Sequence, residues 1–282
     1  MRENRPSATA QRVAIRRAAH QILDQPKVLD DPIALRILGA ESSSALQADP
    51  QGLERTPLAR YLRAFLVVRS RFAEDELAHA VERGARQYVV LGAGLDTFAY
   101  RNPYPALRVF EVDHPVTQAW KRERLGEAEI PIPGALTFAP VNFENQTLPE
   151  GLRQSGFSFE EPTFFSWLGV TPYLTRDAIE ATLQFIAARP AGSGIAFDYA
   201  LSPSLLSQSE LWVFDALAKR VAAAGEPFQT FFDPSALMAN LRAKGFVQVE
   251  DLDGKTLNAR YFQDRTDGLR VGSLAHMMAA RL

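Results

Sequence analysis

Gln87-Tyr88-Val89-Val90-Leu91-Gly92-Ala93-Gly94-Leu95-Asp96-Thr97 is the stretch on which the fold turns. Its first five residues form a short, mainly apolar run, which by length and β-branched content predicts a buried strand. Gly92 and Gly94 follow at once. Without a Cβ they let the backbone turn tightly and let a ligand approach it closely. Downstream, Leu107 to Val112 reads as a second strand, and Asp113 stands at its end, nineteen residues after Gly94. Adjacent parallel strands bring their carboxyl ends together, so an acid at Asp113 would lie beside the glycine turn and could accept from both hydroxyls of a ribose.

The same alternation continues outward. Leu136–Val141, Thr163–Leu168 and Gly194–Asp198 read as three more strands, and Phe246–Val249 and Ala275–Leu282 as late ones. Helices are expected from Pro115 to about Arg124, from Thr175 to Ala188 with Thr175 as N-cap, over Ser202–Ala224, and over Pro234–Lys244, where Gly245 ends the run. Upstream, Ala8–Leu23 carries helical spacing and Asp31-Pro32 resembles a helix start. Ala40–Thr56 is polar and reads as a loop, and Leu58–Glu82 is a long amphipathic stretch of one helix or two. Strands alternating with helices imply an α/β fold with a doubly wound, mostly parallel sheet. The expected layout is an N-terminal helical cap over residues 1–85 and a core over 86–282, with a helical lid insertion at about 200–232.

Composition removes several classes of function. The chain has 282 residues and a formal net charge of −2, which gives no support for phosphate-driven nucleic-acid binding. The basic residues near the N-terminus (Arg2, Arg5, Arg12, Arg16, Arg17) read either as one solvated helix face or as arginines lent to an anionic pocket. With no cysteine there is no disulfide, thiolate metal site or cysteine nucleophile, and four scattered histidines make no metal-binding pattern. No apolar run is long enough to span a bilayer and no hydrophobic signal core is present, so a cytoplasmic protein without nucleic-acid or membrane partners is expected.

Both nicotinamide and S-adenosylmethionine sites use a strand, a G-x-G turn and an acid after the next strand. Three details favour the methyl donor. Thr97 occupies the place of the third glycine of a dinucleotide fingerprint, where the backbone would approach a pyrophosphate. S-adenosylmethionine has no phosphate to seat. The turn also follows a long helical preface and does not lie at the start of the chain.

Arg69-Ser-Arg-Phe72, Val90-Leu-Gly-Ala-Gly-Leu-Asp-Thr97, Phe110-Glu-Val-Asp-His-Pro115, Trp167-Leu-Gly-Val-Thr-Pro-Tyr-Leu-Thr175 and Arg260-Tyr-Phe-Gln-Asp-Arg-Thr-Asp-Gly-Leu269 resemble the leucine carboxyl methyltransferase-like family, in particular its bacterial O-methyltransferase branch. The resemblance covers nearly the whole chain. It implies a class I methyltransferase, Rossmann-like fold and S-adenosyl-L-methionine as cofactor. It also implies roles. Arg69 would pair with the methionine carboxylate, with Arg71 as the fallback, and Arg12 is the nearest match to a second basic contact. Gly92 and Gly94 would approach the cofactor and Asp113 would hold the ribose, with Glu111 structural. Asn142 and Phe143 stand where the family often has Asp-Leu beside the adenine. Leu168 departs from the family, which often has a cofactor-contacting glutamate there.

The acceptor is expected to be a small molecule bearing a carboxylate or a hydroxyl, some relatives acting in polyketide pathways. A carboxylate needs no general base, whereas a hydroxyl does. Tyr173 and Tyr199 follow strands four and five and could orient the acceptor, or be packed aromatics with satisfied hydroxyls. Trp212, Phe214, Phe228, Phe231 and Phe232 could roof an apolar acceptor or be plain core. His114, beside Asp113, reads better as a capping neighbour than as a base. Two other readings stay open: a nicotinamide-dependent oxidoreductase, and a methyltransferase-like protein that binds without turnover.

Overall fold

A computed structural model describes residues 8–143, 145–223 and 225–282; Arg2 and Arg5 lie outside them. Seven strands form one sheet: β1 (Gln87–Leu91), β2 (Arg108–Asp113), β3 (Leu136–Pro140), β4 (Thr163–Trp167), β5 (Gly194–Ala200), β6 (Gln248–Leu252) and β7 (Ala275–Arg281), in the order β3-β2-β1-β4-β5-β7-β6. Only β7 runs antiparallel to its neighbours. Every residue of β1, β4 and β5 is buried, because both faces of the central sheet are covered.

The helices are α1 (Ala8–Leu23), α2 (Ala40–Ala48), α3 (Pro57–Glu82), α4 (Pro115–Glu127), α5 (Leu148–Gln154), α6 (Arg176–Ala187), α7 (Gln208–Ala223), α8 (Pro234–Ala243) and α9 (Gly254–Tyr261). One face of the sheet (Tyr88, Val90, Val109, Phe164, Ala196) packs with Ala18 of α1, Val68 and Phe72 of α3 and Leu257 of α9. The other face (Val89, Leu91, Val112, Phe165, Phe197) packs with Leu152 of α5, Ile179 and Leu183 of α6 and Leu241 of α8. The helices before residue 85 therefore share a continuous core with the strands.

The sheet folds outward from β1 through β2 to β3, then crosses back to β4 on the other side of β1. The switch point lies between β1 and β4, and the carboxyl ends of β1, β2, β4 and β5 frame the crevice where such sheets bind ligands.

Three local expectations are corrected and one open reading is resolved. Ala40–Thr56 is not a loop: α2 occupies its first half and a 3-10 turn, Pro50–Glu54, its second. Alanine, glutamate, leucine and glutamine outweigh the serines there, and Leu46 anchors the helix in the core. Asp31-Pro32 starts no α-helix; Asp31 Oδ1 accepts from the Ile33 N–H (3.2 Å) while Oδ2 is held by Arg17 and Thr97, and the chain makes only a 3-10 turn, Arg36–Leu38. Leu58–Glu82 is one unbroken helix entered through Pro57. Ser202–Ala224 breaks into a 3-10 turn, Pro203–Leu205, and α7. Among the described residues no helix is long and apolar enough to cross a membrane.

Candidate functional site

At the end of β1 the chain turns through left-handed backbone at Gly92 (φ 69°) and Gly94 (φ 47°). A Cβ on Gly92 would lie 2.5 Å from Val170 Cγ2, and one on Gly94 3.1 Å from Ala10 Cβ. The N–H groups of Gly92 and Ala93 donate to Val112 O (2.8 and 3.0 Å), which ties the turn to the end of β2. Asp113 completes the link: Gly94 N–H donates to Oδ2 (2.6 Å) and His114 N–H to Oδ1 (2.7 Å). Burial pushes the Asp113 carboxyl above the usual carboxylate range, against these two amide bonds, which favour its charged form. Each oxygen keeps a further lone pair, so the oriented carboxylate can still accept from a vicinal diol. Val141 N–H donates to Asp113 O (2.9 Å), which sets Asn142 and Phe143 beside this acid. Phe143 is 63% exposed and offers a free ring face.

Glu111 points elsewhere. It is buried against Lys121 Nζ (2.6 Å), which also donates to Asp96 O (2.7 Å), and burial pushes the Glu111 carboxyl up to about 7. Thr97 is buried and bonded to Asp31 Oδ2 (2.6 Å) and to Arg17 Nη2 (2.7 Å). Side chains fill the space where a dinucleotide site keeps a bare backbone. His114 is the N-cap of α4, its Nδ1 accepting from Val116 N–H (3.3 Å).

The second half of the site is a cavity of about 220 Å³ between α1, α3, α7 and the ends of β4 and β5. Arg69 reaches it from α3. Its guanidinium lies over Gly169, where a Cβ would be 2.6 Å from Nη1, and approaches Asp198 Oδ2 at 3.4 Å. Gly169 (φ 71°) donates its N–H to Asp198 Oδ1 (2.5 Å). Arg71, the alternative, faces outward and pairs with Asp75 (2.8 Å). Arg12 lines the cavity from α1, as do Arg16 and, from α7, Arg220. Tyr173 lines it too, its ring against Phe228 (5.4 Å) and its hydroxyl pushed up to about 12 by burial.

Tyr199 is packed differently from Tyr173. Side chains alternate along β5, so while Asp198 faces α3, the Tyr199 ring enters the opposite core beside Phe232. It is fully buried and its hydroxyl donates to Asp251 Oδ1 (2.6 Å), with His276 Nδ1 at 3.5 Å. Its hydroxyl is thus satisfied by Asp251, and the residue also stands among the cavity's described lining. The aromatic cluster divides likewise. Phe214 and Phe228 line the cavity and Phe231 braces both, whereas Trp212 is 77% exposed and Phe232 is core.

The structure thus brings Arg69, Arg12, Tyr173 and Tyr199 to one cavity and Gly92, Gly94, Asp113, Asn142 and Phe143 to the adjoining strand ends; the latter five are not among its described lining. The first turns of α1 join the halves, since Ala10 covers Gly94 while Thr9, Arg12 and Val13 line the cavity. Arg16 matches the reading of N-terminal arginines lent to a pocket, whereas sequence reasoning missed Asp198, Arg220, Tyr61 and Phe65. For Asp198 a signal existed: a charged residue ends the apolar run Gly194–Phe197, at the edge where ligands bind.

A profile of the leucine carboxyl methyltransferase family matches residues 10–187. The chain is 32% identical to YktD of Bacillus subtilis (strain 168), assigned as an S-adenosyl-L-methionine-dependent methyltransferase, over 99% of both proteins. A protein of Mycobacterium sp. (strain JLS) with the same assignment is 37% identical over 178 residues, 60% of this chain and 66% of the relative. Among solved structures, a protein of Thermobifida fusca YX assigned as a methyltransferase aligns with TM-score 0.59 at 17% identity, covering 99% of this chain and 96% of that one. A DUF574 family protein from Streptomyces avermitilis MA-4680 aligns with TM-score 0.56 at 14% identity, covering 99% and 98%. At such identities the two structures bear on the fold alone, and they agree with a Rossmann-like α/β sheet.

Proposed function

The chain belongs to the leucine carboxyl methyltransferase family, and we propose that it transfers a methyl group from S-adenosylmethionine to an oxygen of a small-molecule acceptor, a carboxylate in the first instance. The residues fit this donor. Asp113, oriented by Gly94 and His114, suits the ribose hydroxyls; the exposed, left-handed backbone at Gly92 suits close approach; Asn142 and Phe143 follow β3 on the side where an adenine would rest. Arg69 offers a guanidinium fork to the methionine carboxylate, with Arg12 nearby on α1. When bound, the cofactor supplies an electrophilic methyl group whose bond to sulfur breaks, the electron pair going to sulfur, as the acceptor oxygen forms its bond to carbon.

The cavity's charge carries the choice of acceptor. Its described lining holds four arginines (Arg12, Arg16, Arg69, Arg220) against one acid, Asp198, in walls otherwise largely apolar and aromatic. Such a lining favours an anion with an apolar body. A carboxylate oxygen carries its own lone pair and loses no proton, so the protein's work is to align it with the methyl group and exclude water. No histidine is among the described lining residues, and Tyr173, pushed up to about 12, stays protonated at neutral pH and can donate to an acceptor oxygen but not deprotonate one. A hydroxyl acceptor is the second reading; it requires an oxygen already ionised by the arginines.

The test is transfer of a labelled methyl group to panels of apolar carboxylic acids and of their hydroxyl counterparts. Base-labile methyl ester products support the reading. Methyl ethers alone would show that the acceptor is a hydroxyl, and no transfer to any acceptor by cofactor-bound protein would favour a binding role without turnover.

A further inference from the structure

Asp198 takes no part in the site as derived so far, yet it is the one acid among the cavity's described lining residues and is 4% exposed. Its Oδ1 is fixed by Gly169 N–H (2.5 Å), which leaves Oδ2 toward Arg69 Nη1 at 3.4 Å, too long for a strong charge-assisted bond. The two buried charges balance one another across the cavity wall. If a cofactor carboxylate takes the Arg69 fork, Asp198 loses its counter-charge, and a buried carboxylate without one is strongly unfavourable. The cofactor's amino-acid end carries an ammonium on the same carbon as its carboxylate. We infer that Asp198 is the anchor for that α-ammonium, so that the zwitterion enters between Arg69 and Asp198 and each buried charge exchanges one partner for another. The inference rests on the Arg69 assignment above.

Two further observations support it. The parallel register pairs Trp167 with Phe197, so the next residues, Leu168 and Asp198, stand side by side where β4 ends and two residues before β5 does. Leu168 brings no charge to that edge, and Asp198 supplies one beside it. The other acids nearby are committed: Glu111 to Lys121, Asp113 to Gly94 and His114, and Asp96 to the Phe98 N–H and Arg17. Contact between Asp198 and an acceptor carboxylate would be repulsive, which leaves the cationic end of the cofactor as its partner.

The experiment titrates three ligands into wild type and Asp198→Asn: S-adenosylhomocysteine, its analogue lacking the α-amino group, and 5′-methylthioadenosine, which lacks the whole amino-acid end. Asn keeps an oxygen for the Gly169 N–H. Asp198→Asn is expected to weaken S-adenosylhomocysteine about 10- to 100-fold, as for a lost charged hydrogen bond. The other two ligands should change by less than about twofold in the variant, and the deaminated analogue should bind wild type as weakly as S-adenosylhomocysteine binds the variant. Equal weakening of all three ligands, or no weakening of any, overturns the role of Asp198. The wild-type comparison of the two homocysteine ligands decides the question if the variant fails to fold: equal affinities there also overturn it. Failure of wild type to bind either S-adenosylhomocysteine or 5′-methylthioadenosine would instead overturn the site itself.

Discussion

Gly169→Ala separates backbone strain from the placement of Arg69. Gly169 sits at φ 71°, where an alanine costs about 1–2 kcal/mol. Its added Cβ would also lie 2.6, 2.7 and 2.9 Å from Nη1, Nη2 and Cζ of Arg69, so the guanidinium must leave its present place. Strain alone should lower the melting temperature by about 2–8 °C, at ~2–4 °C per kcal/mol for a chain of this size. Displacing the guanidinium should also remove its charged hydrogen bonds to the cofactor carboxylate, about 1.5–3 kcal/mol, or roughly 10- to 150-fold in Kd. Gly156→Ala is the matched control: φ is 76° and nothing lies within 4 Å of the added Cβ. The assay is differential scanning fluorimetry with calorimetric titration of S-adenosylhomocysteine and 5′-methylthioadenosine. The two variants should lose similar stability, and only Gly169→Ala should lose S-adenosylhomocysteine, with methylthioadenosine unaffected. If both keep wild-type affinity for S-adenosylhomocysteine, Arg69 does not hold the carboxylate.

Lys121→Met leaves Glu111 buried without its partner and should cost about 3–5 kcal/mol in urea unfolding; a loss under about 1 kcal/mol would refute the pair's structural weight. Glu111 also sets a pH signature. Its folded carboxyl stands at about 7 against an ordinary 4.5, so between these values the folded state binds more protons than the unfolded. This contribution is full below pH 4.5 and is lost as pH rises through 7, and Glu111→Gln should flatten that slope in unfolding measured from pH 5 to 8. Tyr199→Phe should cost about 1 kcal/mol of stability through the lost bond to Asp251 and leave kcat unchanged; a tenfold fall in kcat would instead show that its hydroxyl orients the acceptor. Arg71→Ala should shift neither cofactor affinity nor stability by more than about 0.5 kcal/mol, since Arg71 is exposed and its partner Asp75 keeps its bond from the Tyr261 hydroxyl.

The parallel core was legible because its strands are buried on both faces and so appear as apolar runs between glycine and proline punctuation: β1 matches its expected bounds and β4 differs only at its last residue. The glycine turn and acid of the candidate site were legible for a related reason. Gly92, Gly94 and Asp113 lie within about twenty-five residues, and strand pairing fixes their geometry. Short helices were harder. α5 carries a full capping box, Thr147 with Glu150, and α9 an Asp253 cap, yet neither has the length for a helical period to stand out. The cavity was the least legible part. Arg12, Arg69, Tyr173, Asp198 and Arg220 are far apart in sequence, and only packing brings α1, α3 and α7 to the sheet edge. Tyr199 shows why: it lies inside β5, which runs two residues past the expected end at Asp198, and the face its ring takes follows a parity fixed only by the strand's register.

The central claim is that Asp113 and the Gly92–Gly94 turn seat S-adenosylmethionine. Calorimetric titration of S-adenosylmethionine and S-adenosylhomocysteine into wild type and Asp113→Ala, with NADH and NADPH alongside, tests it directly. The account predicts that both sulfur ligands bind wild type, that the variant loses them by about 10-fold or more, and that neither nicotinamide binds. Nicotinamide binding, or sulfur-ligand affinity indifferent to Asp113, would contradict it.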